Sequence, residues 1–222
     1  MNCLICDKQI EVEITWTTLF NLKQQPPICR TCTNQFAKIS TPTCEYCGRD
    51  DKQTCTDCAR WQKRDLMTMN RSVYRYNEFL KETITRFKYR GDYALVEAFA
   101  DVFADGVKNC FPTIPAETKL VPIPLSDERL RSRAFNQAEA LASLLPYQTV
   151  SVLKRTTGEK QAKKNRRARL AMENPFELSA ETVPASVIII DDIYTTGATI
   201  HHAAKILQDA GCEQIVSFTL AR

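Results

Sequence analysis

Apolar positions along the chain follow two periods, and the switches between them mark the elements. Val187 to Ile190 is an unbroken β-branched run, which predicts a strand buried on both faces of a parallel sheet. Arg71 to Tyr76 (RSVYRY) alternates like a half-buried strand, Val150 to Leu153 is another, and Gln214 to Leu220 is the last. Lys119 to Leu125 (KLVPIPL) starts as a strand that Pro122 and Pro124 end at a sheet edge, because proline makes no ladder bond. Leu80, Ile84 and Phe87 share one helical face within Glu78 to Lys88. A break at Gly91-Asp92 leads to a second helix over roughly Tyr93 to Lys108. Two more helices are expected: one carrying RSRAFNQAEALASLL, capped by Ser126 or Asp127, and one from Gly197 to Ala210 that Gly211 stops. Strands alternating with helices imply an α/β fold, a mostly parallel sheet flanked by helices.

At 222 residues and 44% hydrophobic, the chain can bury a substantial core. No apolar run approaches the roughly 18–20 residues of a membrane span. The beginning, MNCLICDKQIEVEITW, lacks the basic-then-apolar layout of a secretory signal, so a cytoplasmic location is expected. The net charge of +4 is unevenly spread. Lys160 to Arg169 (KQAKKNRRAR) holds six basic residues and no acid, inside a stretch from Leu153 to Leu170 with almost no apolar periodicity. A mobile loop over the site is expected there.

Cysteine changes the picture most. Eight of the ten fall before residue 59, as four C-x-x-C pairs: Cys3/Cys6, Cys29/Cys32, Cys44/Cys47 and Cys55/Cys58. Two thiolates on a tight knuckle reach one tetrahedral zinc, and two knuckles complete a four-cysteine site. Serial pairs in a chain without a signal peptide read as zinc, not disulfide. A sequential arrangement, first pair with second and third with fourth, is favoured; the alternative interleaves them. A closed four-thiolate site points to structural metal. The composition shift predicts a zinc-binding module over 1–62, poor in apolar residues and stapled by metal, ahead of an α/β domain over 70–222. Cys110 and Cys212 are expected in the core, and the adjacent His201 and His202 at the surface of a helix.

The candidate chemistry sits at VIIIDDIYTTGAT, Val187 to Thr199. Asp191 and Asp192 fall at the carboxyl end of a buried strand, where open α/β sheets bind ligands. Neighbouring carboxylates accept hydrogen bonds from a vicinal diol, and the turn Thr195-Thr196-Gly197-Ala198-Thr199 opens a helix whose unpaired N–H groups suit a phosphate. A ribose 5-phosphate meets both demands. The plainer alternative is a strand–turn–helix with a capping threonine and solvated acids. The motif resembles the signature of type I phosphoribosyltransferases, which bind phosphoribosyl pyrophosphate (PRPP). That resemblance implies a phosphoribosyltransferase-like sheet in which Asp191 and Asp192 hold the ribose hydroxyls, Thr195 to Thr199 hold the 5-phosphate, and magnesium accompanies PRPP.

Three further stretches carry charge: FKYRGD with Lys88 and Arg90, VPIPL followed by Arg129, Arg131, Arg133, Phe135, Asn136 and Gln137, and the loop containing Arg155, Lys160, Arg166 and Arg169. Lys88, Arg129, Arg133, Arg155, Lys160, Arg166 and Arg169 are candidates for contacts to pyrophosphate or DNA phosphate; each can equally be a solvated side chain. Together with the four cysteine pairs and VIIIDDIYTTGAT, these stretches resemble the ComF family along nearly the whole chain. The resemblance implies a PRPP-binding accessory protein of natural competence that handles incoming single-stranded DNA, with the helicase-like ComFA as a partner. Family members usually carry glycine before Phe-Asn-Gln, where this chain has Ala134; a positive φ there would strain it, whereas in a helix alanine would be an improvement on glycine. Trp16, Phe36, Tyr46 and Trp61 offer stacking surface for bases or simply pack. Two other functions fit the same motif: an active phosphoribosyltransferase with an unidentified acceptor, and a non-catalytic PRPP sensor. No Ser–His–Asp or metal-hydrolase constellation competes, and no catalytic base is assigned.

Overall fold

The architecture is organised by the strand β5 (Ser186–Ile193), whose first five residues are buried. The computed structural model describes residues 1–10, 26–50, 55–64, 68–89, 92–156 and 174–222. Four strands form one parallel sheet in the order β1 (Met69–Tyr74), β6 (Gln214–Ala221), β5, β2 (Lys119–Pro122). Successive side chains of β5 enter different cores: Ile188 and Ile190 join one face, Val187 and Ile189 the other. A strand covered on both faces needs no polar alternation, hence the unbroken apolar run.

One face is covered by α3 (Glu78–Tyr89), a 3-10 turn (Tyr93–Phe99), α4 (Ala100–Cys110) and α6 (Gln137–Ala142), which contribute Phe87, Phe99, Phe103 and Leu141. The other is covered by α7 (Ala198–Asp209) and a small antiparallel hairpin of β3 (Leu153–Arg155) and β4 (Phe176–Leu178). As expected, β2 lies at the sheet's edge and ends at its first proline.

The cysteine-rich segment closes the opposite edge. Its short helices α1 (Arg30–Thr33) and α2 (Thr56–Gln62) flank a chain that bonds along β1. Ile39 N–H donates to Val73 O at 2.9 Å, Arg75 N–H to Ala37 O at 2.8 Å and Asn70 N–H to Tyr46 O at 2.7 Å. An exposed strand edge invites pairing with another chain, and this contact removes it. Behind it lies a buried polar ladder: Asn70 Nδ2 donates to Cys47 O, and Ser72, Ser217 and Thr219 complete the chain of bonds. Cys3 and Cys32 join one core, and Cys44, Cys47, Cys55 and Cys58 the other.

Several expectations are corrected. The segment RSRAFNQAEALASLL is not one helix: α5 (Asp127–Arg133) stops at Ala134, and α6 starts three residues later under an Asn136 cap. The second helix begins as a 3-10 turn. Val150–Leu153 touches the main sheet only through a bridge at Thr149 and a bond from Val150 N–H to Leu120 O, after which the chain leaves to form β3. Cys110 is exposed at the end of α4, whereas Cys212 is buried. His201 and His202 are buried, at 0% and 9% exposure, because the helix α2 packs Trp61 over the face of α7 that the sheet does not cover.

Ala134 adopts φ 67°, ψ −17°, the left-handed cap that favours glycine. The conformation costs an L-residue about 1–2 kcal/mol, partly offset by the greater unfolded-state freedom of glycine. Ala134→Gly should therefore stabilise the fold by about 1 kcal/mol, raising Tm by roughly 2–4 °C for a chain of this size. Differential scanning calorimetry tests this; an unchanged or lowered Tm would mean the turn relaxes around the methyl group.

Candidate ligand loop and metal centres

Two acids end β5, where strand alternation gives them different protein neighbours while their carboxyls stay close enough to interact. Asp192, on the face of α3, pairs with Lys88 near that helix's end. Asp191, half-buried, faces the hairpin, and its Oδ1 accepts from the N–H of Asp192 at 2.9 Å. Burial first, then repulsion from Asp192, pushes the Asp191 carboxyl up to about 8, against the opposing pull of the Asp192 N–H and Lys88. An acid so displaced at the carboxyl edge of a parallel sheet is a candidate for contact with a ligand.

The turn beyond is built on a buried tyrosine. Tyr194 Oη lies 3.0 Å from His201 Nε2, one turn into α7, and burial followed by repulsion from His202 draws His201 down to about 3, so the ring is neutral. Gly197 sits at φ 81°; a Cβ there would come within 2.3 Å of the Tyr194 oxygen, so only glycine fits. Thr195 is exposed, and Thr196, Ala198 and Thr199 are half-buried. The N–H of Ala198 donates to Thr196 Oγ1 at 3.4 Å, while those of Thr195, Thr196 and Gly197 have no acceptor among the described residues. Unspent donors at a helix start, beside paired acids, can receive an anion and a diol together.

The candidate cations divide. Arg155 lies on β3 with its guanidinium 5.4 Å over the Phe176 ring. Burial, then repulsion from Arg129, lowers its affinity for the proton; Asp191 opposes this, and Arg133 adds to it. The three arginines and Asp191 therefore share one electrostatic neighbourhood. Arg133 also stacks on Tyr89 at 5.4 Å and donates to Gln137 Oε1 at 2.9 Å. Arg90, Lys160, Arg166 and Arg169 lie outside the described residues. Asn136 and Phe135 have packing roles: Asn136 Nδ2 donates to Ile123 O, and Phe135 packs on Phe87 and Tyr93.

The eight early cysteines form two clusters, Cys3, Cys6, Cys29, Cys32 and Cys44, Cys47, Cys55, Cys58, which is the sequential pairing. Within each, all sulfurs lie within 4.8 Å of one another. Tetrahedral ligands at the usual zinc–sulfur distance stand about 3.8 Å apart. Cys6–Cys29 at 3.7 Å, Cys44–Cys58 at 3.8 Å and Cys47–Cys55 at 3.6 Å match that edge. Crowding also splits the thiols: a hydrogen bond from Cys58 draws Cys47 down to about 4, and Cys58 is driven far up, by Cys47 first and then by burial. Four such thiols ionise together only around a cation, so both donor sets fit zinc.

Sequence reasoning named Trp61 as an aromatic that stacks on bases or packs, and the structure gives it the packing role; it missed Arg222 altogether. Trp61, three residues after Cys58, is 1% exposed, and its Nε1 donates to Thr196 O at 2.7 Å. Arg222 donates from Nη1 to Thr195 O at 2.5 Å and from Nη2 to Cys47 Sγ at 3.0 Å. No periodicity announces either role. Of the aromatics considered for stacking, Phe36 and Trp61 are buried, Tyr46 is half-buried and Trp16 lies outside the described residues.

Two tetrathiol clusters set against an all-parallel sheet, one toward each face, define an α/β protein whose cysteine groups fit a double zinc ribbon. The chain is 41% identical to Competence protein ComFC of Bacillus subtilis over 99% of its own length and 94% of that protein's. It is 33% identical to Competence protein ComFC of Streptococcus pneumoniae over the full length of both. Competence protein F of Haemophilus influenzae is 28% identical over 88% of this chain and 90% of its own. The chain belongs to the ComF family of competence proteins. No family model matches it. Among the described residues, no helix is long and apolar enough to cross a membrane.

Proposed function

We propose that this protein serves DNA uptake in natural competence as a PRPP-binding accessory factor that handles single-stranded DNA, within a zinc-stapled segment (1–62) and a phosphoribosyltransferase-like domain (70–222). The observation that carries the reading is the pairing of Asp191 and Asp192 with a turn whose three consecutive N–H groups have no acceptor among the described residues. The acids take the ribose hydroxyls. Thr195 to Thr199 take the 5-phosphate, and Lys88, Arg129, Arg133 and Arg155 answer the pyrophosphate with its magnesium. The names of the relatives support the competence role.

For DNA, the supporting feature is a cavity of about 310 Å³ lined by Arg60, Trp61, Lys63 and Arg64. Its three exposed cations suit a phosphate backbone, and the helicase-like ComFA is the protein partner of this reading. Whether a nitrogen nucleophile ever replaces pyrophosphate is a separate matter, and pyrophosphate release with candidate bases measures it.

Calorimetric titration with PRPP and magnesium, followed by a single-stranded oligonucleotide at two salt concentrations, tests the proposal. PRPP should bind with one site per chain. If the oligonucleotide engages four phosphates, its affinity should fall roughly fifty-fold between 50 and 200 mM salt. Absence of PRPP heat refutes the ligand reading, and salt-independent DNA affinity refutes the phosphate contacts.

A further inference from the structure

Arg222 and Trp61 join the second cysteine cluster to the back of the ligand turn. The guanidinium of Arg222 has two ends in two places: Nη2 donates to Cys47 Sγ at 3.0 Å and lies 3.9 Å from Cys55 Sγ, while Nη1 donates to Thr195 O at 2.5 Å and Tyr194 O at 3.2 Å. Its carbon stands 4.7 Å from the centre of the Tyr194 ring. The backbone is pinned as well, since Arg222 N–H donates to Tyr74 O and its carbonyl accepts from Tyr76 N–H, both at 2.9 Å. Trp61 lies one turn beyond Cys58 on α2 and donates to Thr196 O at 2.7 Å.

Three consecutive carbonyls, of Tyr194, Thr195 and Thr196, are thus drawn toward the cluster. A planar trans peptide points its N–H opposite to its C=O. The N–H groups of Thr195, Thr196 and Gly197 are therefore turned away from the cluster, as a short row of donors. Such rows are anion-binding concavities. The donor geometry of the turn is set from behind, by side chains that contact no ligand.

The cluster end of this link depends on charge. Four thiolates around a divalent ion carry a net charge of about −2, and a guanidinium donates strongly to a thiolate. Neutral thiols or disulfides hold it weakly. We propose that Arg222 and Trp61 are positioning residues that make metal retention by Cys44, Cys47, Cys55 and Cys58 and anion binding at residues 195–199 one coupled equilibrium. This rests on the reading of the turn as a PRPP phosphate site. Coupling is reciprocal: if the metal prepares the turn, PRPP must tighten the metal.

The test uses the full zinc-loaded chain. Zinc release to a chromophoric chelator is followed with magnesium present throughout, with and without PRPP, alongside PRPP titration calorimetry. PRPP should slow release of one of the two zinc ions about tenfold, within the usual range of coupling factors, and leave the other unchanged. Arg222→Met should keep two zinc ions, weaken PRPP about tenfold and abolish the protection. Should that variant not fold, Trp61→Phe, which keeps the ring on His201 and removes only the donor, should show the same loss. A merely structural role would lower Tm without touching PRPP affinity or its effect on zinc release, and that result overturns the coupling. Wild-type protein that binds no PRPP overturns the parent reading and this one together. PRPP binding with unaltered zinc release overturns this one alone.

Discussion

Asp191→Asn is expected to weaken PRPP binding about ten- to a hundredfold and, at the same time, to raise the melting temperature at pH 8. The first effect follows from what a carboxylate does for a sugar. A hydrogen bond to a charged acceptor is worth about 1.5–3 kcal/mol, and an amide presents a donor where an acceptor is needed. With Asp192→Asn added, binding should vanish from calorimetry. The second effect follows from the displaced proton. The native Asp191 carboxyl, pushed up to about 8 by burial and by Asp192, holds its proton over a range where an unfolded chain, at about 4, has lost it. The native state thus binds more protons between these values, so stability falls as pH rises from about 4 to 8. Because the side chain is half-buried and screened, the penalty at pH 8 is on the order of 2 kcal/mol. The neutral amide escapes it, so Tm should rise by roughly 4–8 °C at pH 8 and hardly change at pH 4.5. PRPP hydroxyls favour the ionised acid, so wild-type affinity should tighten as pH climbs toward 8. Thermal melts and titrations at both pH values decide the matter. A variant destabilised at pH 8 would mean that the acid is engaged in holding the fold, not strained within it.

The elements that frame this site were legible because their causes are local. A β-branched run with no polar alternation can only be a strand covered twice, and β5 indeed feeds two cores. C-x-x-C knuckles carry their chemistry in their spacing, and the sequential pairing follows from chain proximity. The misreadings have a common source in packing between distant segments. His201 and His202 look like the polar face of an amphipathic helix, yet Trp61 of α2, some 140 positions earlier, covers that face. Helical propensity across Ala134 is good, so only the glycine usual in the family hinted at a turn there, and the packing that requires it, Phe135 between Phe87 and Tyr93, lies in distant segments. Arg222 follows an apolar strand without any pattern, and its role appears only once β6 delivers it beside Cys47. The acids were placed at the strand's end by pattern alone. Their division between Lys88 and the arginine neighbourhood needed the sheet and both its covering layers.

The two metal sites should respond unequally to the loss of a ligand. Cys44, Cys47, Cys55 and Cys58 are all buried and share a core with Val121, Ile189, Tyr194 and Ile200. In the other cluster Cys6 is exposed and Cys29 half-buried. Removing one ligand from the buried set strands three thiols inside the protein, where unpaired charge costs several kcal/mol, and unseats α2 from the turn and from α7. Cys58→Ser should therefore reduce bound zinc from two ions to one and lower Tm by about 10 °C or more, equivalent to roughly 3–5 kcal/mol. Cys6→Ser should also lose one ion, but with water available to the remaining ligands the shift should be about half as large. Zinc quantification beside calorimetric melts separates the outcomes. Equal shifts would mean that the second cluster is no more part of the core than the first. A Cys58→Ser protein retaining two tightly bound ions would show that the fourth thiol is dispensable and that the site is held by the packing around it.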